Sequence, residues 1–281
     1  MKGNKELAVL FTVLTVMGTV SVAFALKTKD NAIQSANFNY KINSSTSSKP
    51  ITKTRTKAKS STVVSNKEES TPVSSEPKAI TTHHDAPDGK YYIEMKNILQ
   101  KPELPTGCEA TALAIVLNYL GFSADKCDIV DNYLPKTNSM CSLNNFFIGN
   151  PYSKSGLGCY APVIVKTADS YLSRAGSQYR AQLLTGSDPE TLYWYVSQNV
   201  PVMCWVTIGM VKPKVGAVWT AKDTGEKMQF MENEHCTVLV GYNSTKGTVM
   251  LNDPWKGKVT YSMSLFEKRY RELGKQAVII R

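Results

Sequence analysis

Residues 100–121, QKPELPTGCEATALAIVLNYLG, decide the fold of this chain. From Cys108 onward, apolar residues recur at spacings of one, three and four, which predicts a helix with a single apolar face that ends at Gly121. Thr106 and Glu109 match the T-x-x-E pattern of a capping box. We therefore predict Thr106 as the N-cap and Cys108 in the first turn.

A cysteine in the first turn of a helix is a candidate nucleophile. Backbone N–H groups without partners and the positive end of the helix dipole lie there, and both favour a thiolate over a thiol. The alternative is that Cys108 is a small buried hydrophobic residue, as free cysteines often are. The rest of the chain has to decide between the two interpretations.

The first 26 residues predict export from the cytoplasm. Residues 7–26, LAVLFTVLTVMGTVSVAFAL, carry no charge and follow a short segment that contains Lys2 and Lys5. A small-x-small pattern at residues 23–25 fits a cleaved signal peptide, and about 20 apolar residues are also enough for an N-terminal membrane anchor. We expect an extracellular or cell-surface protein that touches the membrane only through this segment, if it is retained.

Residues 27–88 predict a disordered, basic linker rich in Ser, Thr and Lys, because such a composition cannot bury enough apolar surface to fold. Residues 27–85 hold ten Lys/Arg against five Asp/Glu, which is half of the net charge of +10. This charge favours attraction to an anionic cell-envelope polymer and does not indicate a nucleic-acid groove. A solvated spacer explains it equally well.

All six cysteines lie in residues 108–236. Cys141 with Cys159 is the first candidate for a disulfide outside the cytoplasm, but a working thiol would leave an odd number, so we predict no particular pairing. There is no C-x-x-C motif, and the folded part holds a single histidine. We therefore expect neither a metal site nor a cofactor.

Residues 89–281 predict one folded domain of the α+β class, with helices first and an antiparallel sheet after. Periodicity and turn signals predict helices over residues 108–121, 124–134, 162–175, 187–199 and 264–273. A long loop is expected over residues 138–160. Strand signals give a buried strand at residues 202–208, hairpins over residues 218–231 and 235–255, and a final strand at residues 276–280.

His235 is the only imidazole of the predicted domain, and it opens the second hairpin. A turn centred on Thr245 would place residues equally far from it opposite each other, so that His235 faces Trp255. Asp253 is then its diagonal neighbour on the same face. A slip of one residue would separate the two side chains.

Together these residues fit the logic of a nucleophile, base and orienting carboxylate. Cys108 would attack a carbonyl, His235 would act as base and Asp253 would hold the imidazole ring. The backbone N–H of Cys108 and the side-chain amide of Gln100 would stabilise the oxyanion. Each residue also has an ordinary structural explanation: a core histidine, an aspartate that starts a turn, a surface glutamine.

Four segments resemble the C39-like, papain-fold cysteine peptidases that bacteria export: ILQKPELPTGCEATALAIVLNYLG, NPYSKSGLGCYAPVI, EHCTVLVGYN and VMLNDPWKG. The similarity covers nearly all of residues 90–281. It implies a papain-like α+β fold, with a helical half that carries the nucleophile packed on an antiparallel sheet, and cofactor-free hydrolysis of a peptide or protein substrate. By this resemblance Cys108, His235, Asp253 and Gln100 match the nucleophile, base, third residue and oxyanion donor.

Two alternatives stay open. The domain could be a catalytically idle binding module that uses the same groove. It could also be a cell-wall amidase or endopeptidase, although papain-fold enzymes of that kind commonly use a second histidine as the third residue, and this domain has one.

Overall fold

The computed structural model describes residues 77–80 and 82–281. The predicted signal peptide or anchor at residues 1–26 and most of the predicted linker lie outside the described residues. Within the described ranges, no helix combines the length and the apolar character that crossing a bilayer requires.

The elements follow the predicted order, with most helices in the first half. The first half of the described chain comprises β1 (Lys90–Tyr92), α1 (Cys108–Tyr119), α2 (Lys126–Asn132), β2 (Lys136–Thr137), β3 (Phe147–Ile148), α3 (Ala161–Arg174), β4 (Ala181–Leu183) and α4 (Pro189–Ser197). The second half comprises β5 (Val202–Thr207), β6 (Val215–Thr220), β7 (Lys227–Met231), β8 (Glu234–Asn243), β9 (Thr248–Asp253), β10 (Gly257–Ser262), α5 (Met263–Glu272) and β11 (Ala277–Ile280).

A seven-stranded antiparallel sheet forms the centre of the fold. Its strand order is β10-β9-β8-β5-β11-β4, and β1 extends it by pairing with the far end of β8. Helices α1 and α4 pack against β8, and α5 packs against β5. The predicted α+β class is confirmed. No sequence pattern predicted the edge strands β4 and β10: β4 has three residues, and β10 has one buried residue, Gly257, followed by exposed and half-buried ones.

Helix α1 lies inside the core. Every residue from Cys108 to Leu117 is buried, because the helix contacts β8 and β5 as well as α2 and α3. The prediction of a single buried apolar face was therefore too narrow, since this stretch is buried on all sides, including at the polar residues Glu109 and Thr111. Its central position fixes the location of its first residue relative to the sheet.

The predicted capping box is wrong. Gly107 is the N-cap, and no side chain caps the helix. The Thr106 hydroxyl donates to the Ser153 carbonyl at 2.9 Å, and Glu109 accepts from the Cys159 N–H at 2.7 Å, so both predicted capping groups bond to the 138–160 loop. Cys108 is nevertheless the first helical residue, as predicted.

The hairpin β8–β9 has the predicted register at its end away from the turn, which is the end nearer His235. Val238 pairs with Asn252, and these two residues are equally far from Thr245. At the turn, however, Asn243 pairs with Thr248, one position away from the prediction. A bulge in β8 absorbs the difference. The register near the site therefore depends on this irregularity as well as on the turn.

The folded body begins upstream of residue 89, the start predicted from the sequence. The Ile80 N–H donates to the Leu183 carbonyl at 2.8 Å, and the His84 ring stacks on Trp194 with centroids 3.9 Å apart. The Tyr242 hydroxyl donates to the Pro87 carbonyl at 2.7 Å. The end of the predicted linker is thus part of the packed structure.

All six cysteines are free thiols, so the candidate pair Cys141–Cys159 does not form a disulfide. Cys159 is buried beside α1, where its N–H bonds to Glu109. Cys141 instead lies next to β6, where its carbonyl accepts from the Trp219 indole at 2.9 Å. The two cysteines are held by different parts of the fold.

Candidate active site

A cleft of about 550 Å³ contains three of the four predicted site residues, namely Cys108, His235 and Gln100. The fourth, Asp253, contacts His235. The cleft lies where the start of α1 meets the start of β8. Its wall combines apolar side chains with charged ones: Pro105, Leu157, Ile208, Phe230, Trp255, Lys101, Lys154, Glu232 and Glu234.

Cys108 contacts Cys236, the residue that directly follows His235. The N–H of Cys236 approaches the Cys108 sulfur at 3.5 Å. Residues 128 positions apart in sequence are in contact here. The packing of α1 on β8 therefore brings the sulfur and the lone imidazole of the predicted domain to the same cleft.

The surroundings of the Cys108 sulfur favour the thiol over the thiolate. Burial raises its pKa well above the ordinary value, and the charges of Glu109 and Glu234 act in the same direction, while the Cys236 N–H lowers it. The thiol donates to Glu109 Oε2 at 3.2 Å. The first-turn position favours a thiolate, whereas desolvation and two nearby carboxyl groups act in the opposite direction.

His235 and Asp253 form a buried hydrogen-bonded pair, with Nε2 and Oδ1 2.6 Å apart. The Trp255 N–H donates to the same Oδ1 at 2.7 Å. Burial raises the pKa of Asp253, but the hydrogen bond and charge of His235 and the Trp255 N–H lower it further, to below its ordinary value. Asp253 is therefore ionised at neutral pH, and the Nδ1 atom of His235 remains for chemistry.

Trp255 and Lys101 border the cleft beside this pair. The edge of the Trp255 ring meets the His235 ring with centroids 6.5 Å apart. The Lys101 ammonium lies 3.5 Å from the centre of the indole, in a cation–π contact. Trp255 therefore packs against the imidazole, and Lys101 packs against Trp255.

Gln100 is buried, and its amide holds the segment that precedes the nucleophile. Nε2 donates to the carbonyls of Leu104 and Pro105 at 3.1 and 3.0 Å. The Gln100 N–H donates to the Pro254 carbonyl at 2.8 Å, which links this segment to the residue after Asp253. In this structure the amide is engaged by protein carbonyls.

Lys126, the first residue of α2, supports the site although no sequence pattern predicted this. Its ammonium is buried and donates to the Leu99 and Gln100 carbonyls at 2.5 and 3.0 Å and to Glu103 at 2.7 Å. These bonds fix the loop that leads to Cys108. A single buried lysine in a short amphipathic helix gives no sequence signal for such a role.

Two buried acids that were not predicted as site residues, Glu109 and Glu234, lie beside the proposed nucleophile. An added Cβ at Gly158 would lie 2.8 Å from Oε1 of each glutamate, so both carboxyl groups close around that glycine. Burial raises the pKa of both, and for Glu234 the charge of Glu109 raises it further. The available signal was their position, since each directly adjoins a predicted catalytic residue, in C-E and E-H.

Comparison with known proteins gives consistent similarities. The sequence model of the Peptidase_C39 like family matches residues 92–278. The uncharacterized protein YvpB of Bacillus subtilis (strain 168) is 31% identical over 191 residues, which is 66% of this chain and 72% of YvpB. A crystal structure from Bacillus anthracis described as a C39-like peptidase is 29% identical, with a TM-score of 0.61, and the match covers 69% of this chain and 98% of that one.

Proposed function

The chain belongs to the Peptidase_C39 like family, and on that premise we propose that it is a cysteine peptidase with Cys108 as nucleophile and His235 as base. The observation that carries the proposal is the meeting of α1 and β8 at one cleft. Cys108 and His235 both line it, and the sulfur contacts the N–H of the residue after His235.

In the proposed reaction, Nδ1 of His235 accepts the Cys108 proton as the sulfur attacks the carbonyl carbon of a peptide bond. The imidazolium then gives this proton to the leaving amine, and the carbon–nitrogen bond breaks to leave a thioester on Cys108. Water, deprotonated by His235, hydrolyses the thioester and regenerates the thiol. Asp253 stabilises the imidazolium because its carboxylate is ionised and bonded to Nε2.

The raised pKa of Cys108 bears on the order of these events. A thiol that donates to Glu109 does not rest as an ion pair with His235. Proton transfer to His235 therefore accompanies substrate binding or attack in this proposal. A substrate that displaces water from the cleft and supplies a carbonyl at the helix start would favour that transfer.

The oxyanion would form next to the N–H of Cys108, since the first N–H groups of a helix have no intrahelical acceptor. Gln100 is the proposed second donor. Its Nε2 would exchange the Pro105 carbonyl for the substrate oxygen, and removal of one such donor typically costs about 100-fold or more in rate.

The substrate class in this proposal is a peptide or protein. The cleft offers apolar walls for side chains, and its charged rim includes Lys101 and Lys154 as well as Glu232. Mixed charge and apolar surface suit an extended polypeptide better than a uniformly anionic polymer.

Site-resolved alkylation combined with a peptidase assay tests the proposal. A peptidyl chloromethyl ketone, which occupies the cleft as a substrate does, should alkylate Cys108 faster than Cys127 and Cys141, although those two are more exposed. Modification of Cys108 should abolish hydrolysis of a casein or peptide-library substrate in parallel. The matched variants are Cys108→Ala, which should be inactive, and Cys127→Ala, which should retain activity.

Equal alkylation of the three cysteines, with hydrolysis that survives in Cys108→Ala, would refute the nucleophile assignment. If peptides bind to the full chain with equal affinity in the wild type and Cys108→Ala while neither cleaves them, the domain is an idle binding module.

A further inference from the structure

We propose that Cys108, Glu109 and Glu234 form a binding site for a divalent cation of intermediate softness, with Zn²⁺ as the fitting example, and that the bound cation blocks the nucleophile. The consequence for catalysis rests on the proposed peptidase function. The binding itself rests only on the three side chains and the cleft that reaches them.

The three ligand atoms are close enough to share one ion. The sulfur and one oxygen of each carboxyl group lie within 4.8 Å of one another, and all three residues are buried. Zn–S and Zn–O bonds of about 2.3 and 2.0–2.2 Å place tetrahedral ligand atoms roughly 3.6 Å apart. The 3.2 Å between the Cys108 sulfur and Glu109 Oε2 is near that spacing.

Glu234 gives independent evidence for a ligand, because one of its buried oxygens has no hydrogen-bond partner among the described residues. Its side chain is 8% exposed, and Oε2 is buried without a hydrogen bond to any described residue. A buried carboxyl oxygen without a donor is costly, and a cation is one of the few partners that satisfies it. No hydrogen bond between Oε2 and a described residue would have to break for this oxygen to ligate an ion.

The ion pairs of the described residues do not involve the two carboxyl groups. Among the described residues, no lysine or arginine forms an ion pair with Glu109 or Glu234. The imidazole of His235 already bonds to Asp253 and is not counted as a ligand. Two buried carboxyl groups and a thiol therefore share one region with no fixed cation.

An ion can reach the site from solvent. Cys108 and Glu234 line the open cleft, whereas Glu109 lies beneath them. A thiolate with two carboxylates is a donor set that suits Zn²⁺ better than the hard cations Mg²⁺ and Ca²⁺, which prefer oxygen alone. Water from the cleft would complete four-coordination.

Binding replaces protons with the metal ion. The Cys108 thiol and any protonated carboxyl group release their protons to solvent as the sulfur–metal and oxygen–metal bonds form. A sulfur that is coordinated in this way cannot attack a carbonyl. The expected consequence is inhibition that a chelator reverses, with no change in the covalent structure of the protein.

Co²⁺ titration of the full chain under a non-thiol reductant tests the site, since Co²⁺ occupies zinc sites and a thiolate ligand gives it an intense near-ultraviolet charge-transfer band. The expected result is one equivalent of Co²⁺ with that band, displaced by Zn²⁺. Cys108→Ala should lose the band. Glu234→Gln removes a proposed ligand and should weaken Co²⁺ binding by at least about tenfold, because replacing even a residue that only contacts a metal ligand typically costs that much affinity.

Glu232→Gln is the matched control. Glu232 lines the same cleft but is exposed and pairs with Lys214, so this variant should bind Co²⁺ like the wild type. Circular dichroism checks that each variant folds. If Glu234→Gln does not fold, Cys108→Ala decides alone, and a band that persists in it would overturn the proposal.

The same samples separate the two proposals. A Co²⁺–thiolate band at Cys108 in a protein without peptidase activity would support the site and count against the proposed function. An active peptidase that gives no band and is unaffected by Zn²⁺ would overturn the site and leave the proposed function standing.

Discussion

Replacement of Asp253 by Asn tests how the base is held. The change keeps the shape of the side chain and removes its charge. Asp253 Oδ1 accepts two hydrogen bonds, from His235 Nε2 at 2.6 Å and from the Trp255 N–H at 2.7 Å. An asparagine can keep both bonds only if its oxygen occupies the position of Oδ1.

The hydrogen bond from Trp255 decides which of two losses in kcat applies. Hydrogen bonds to charged groups contribute about 1.5–3 kcal/mol and neutral ones about 0.5–1.5, so loss of the charge costs about 1–2 kcal/mol at the imidazolium. That energy corresponds to a loss of roughly 5- to 30-fold in kcat. A rotated amide would force the wrong imidazole tautomer, for which a loss of about 10⁴ is documented in a serine peptidase triad.

Rotation of the amide would leave the Trp255 N–H facing an NH₂ group, at a cost of about 1–3 kcal/mol. We therefore expect Asp253→Asn to show the smaller loss, mainly in kcat, because the charged imidazolium forms during the reaction. Steady-state hydrolysis of a fluorogenic peptide measures kcat and KM separately. Asp253→Ala, which removes the acceptor altogether, should be slower than Asp253→Asn.

Wild-type kcat in Asp253→Asn, or equal rates for the Asn and Ala variants, would refute this reasoning. Either result would mean that the 2.6 Å bond does not orient the base.

Three further outcomes follow from the contacts around the site. Gly158→Ala should lower the free energy of unfolding by about 1–3 kcal/mol, because its Cβ would overlap an oxygen of each of two carboxyl groups and its φ is +121°. The control in urea unfolding is Gly121→Ala, where φ is +93° but no atom of the described residues lies within 4 Å of the added Cβ. Lys126→Met should lower the free energy of unfolding by about 1–3 kcal/mol and reduce kcat/KM, because two loop carbonyls lose their hydrogen-bond donor. Lys258→Met removes an exposed ion pair and should change neither quantity. Because the pKa of Asp253 is lowered in the folded protein, its carboxylate stabilises the fold at pH values above its ordinary pKa of 3.8, and this stabilisation is lost as pH falls through the lower folded pKa. Urea unfolding at stepped pH should therefore show that the difference in free energy of unfolding between wild type and Asp253→Asn shrinks below about pH 4.

Local patterns predicted much of the fold. The helices at residues 108–119 and 161–174 and the hairpin that carries His235 follow from apolar spacing, a proline at a helix start and turn residues close in sequence. Cys108 begins its helix, as expected, although its cap is Gly107. The capping-box pattern failed because Thr106 and Glu109 bond to loop residues 47 and 50 positions away, which local spacing does not report.

The site needed the tertiary structure. Sequence alone gave the residue types and their order, and thus the proposal of a nucleophile, a base and a carboxylate. Only the packing of α1 on β8 decides that a sulfur and a peptide N–H 128 residues apart meet, and that two glutamates converge on Gly158. The pKa of Cys108 is raised there too, because burial and neighbouring charge are properties of the three-dimensional surroundings that no spacing along the chain encodes.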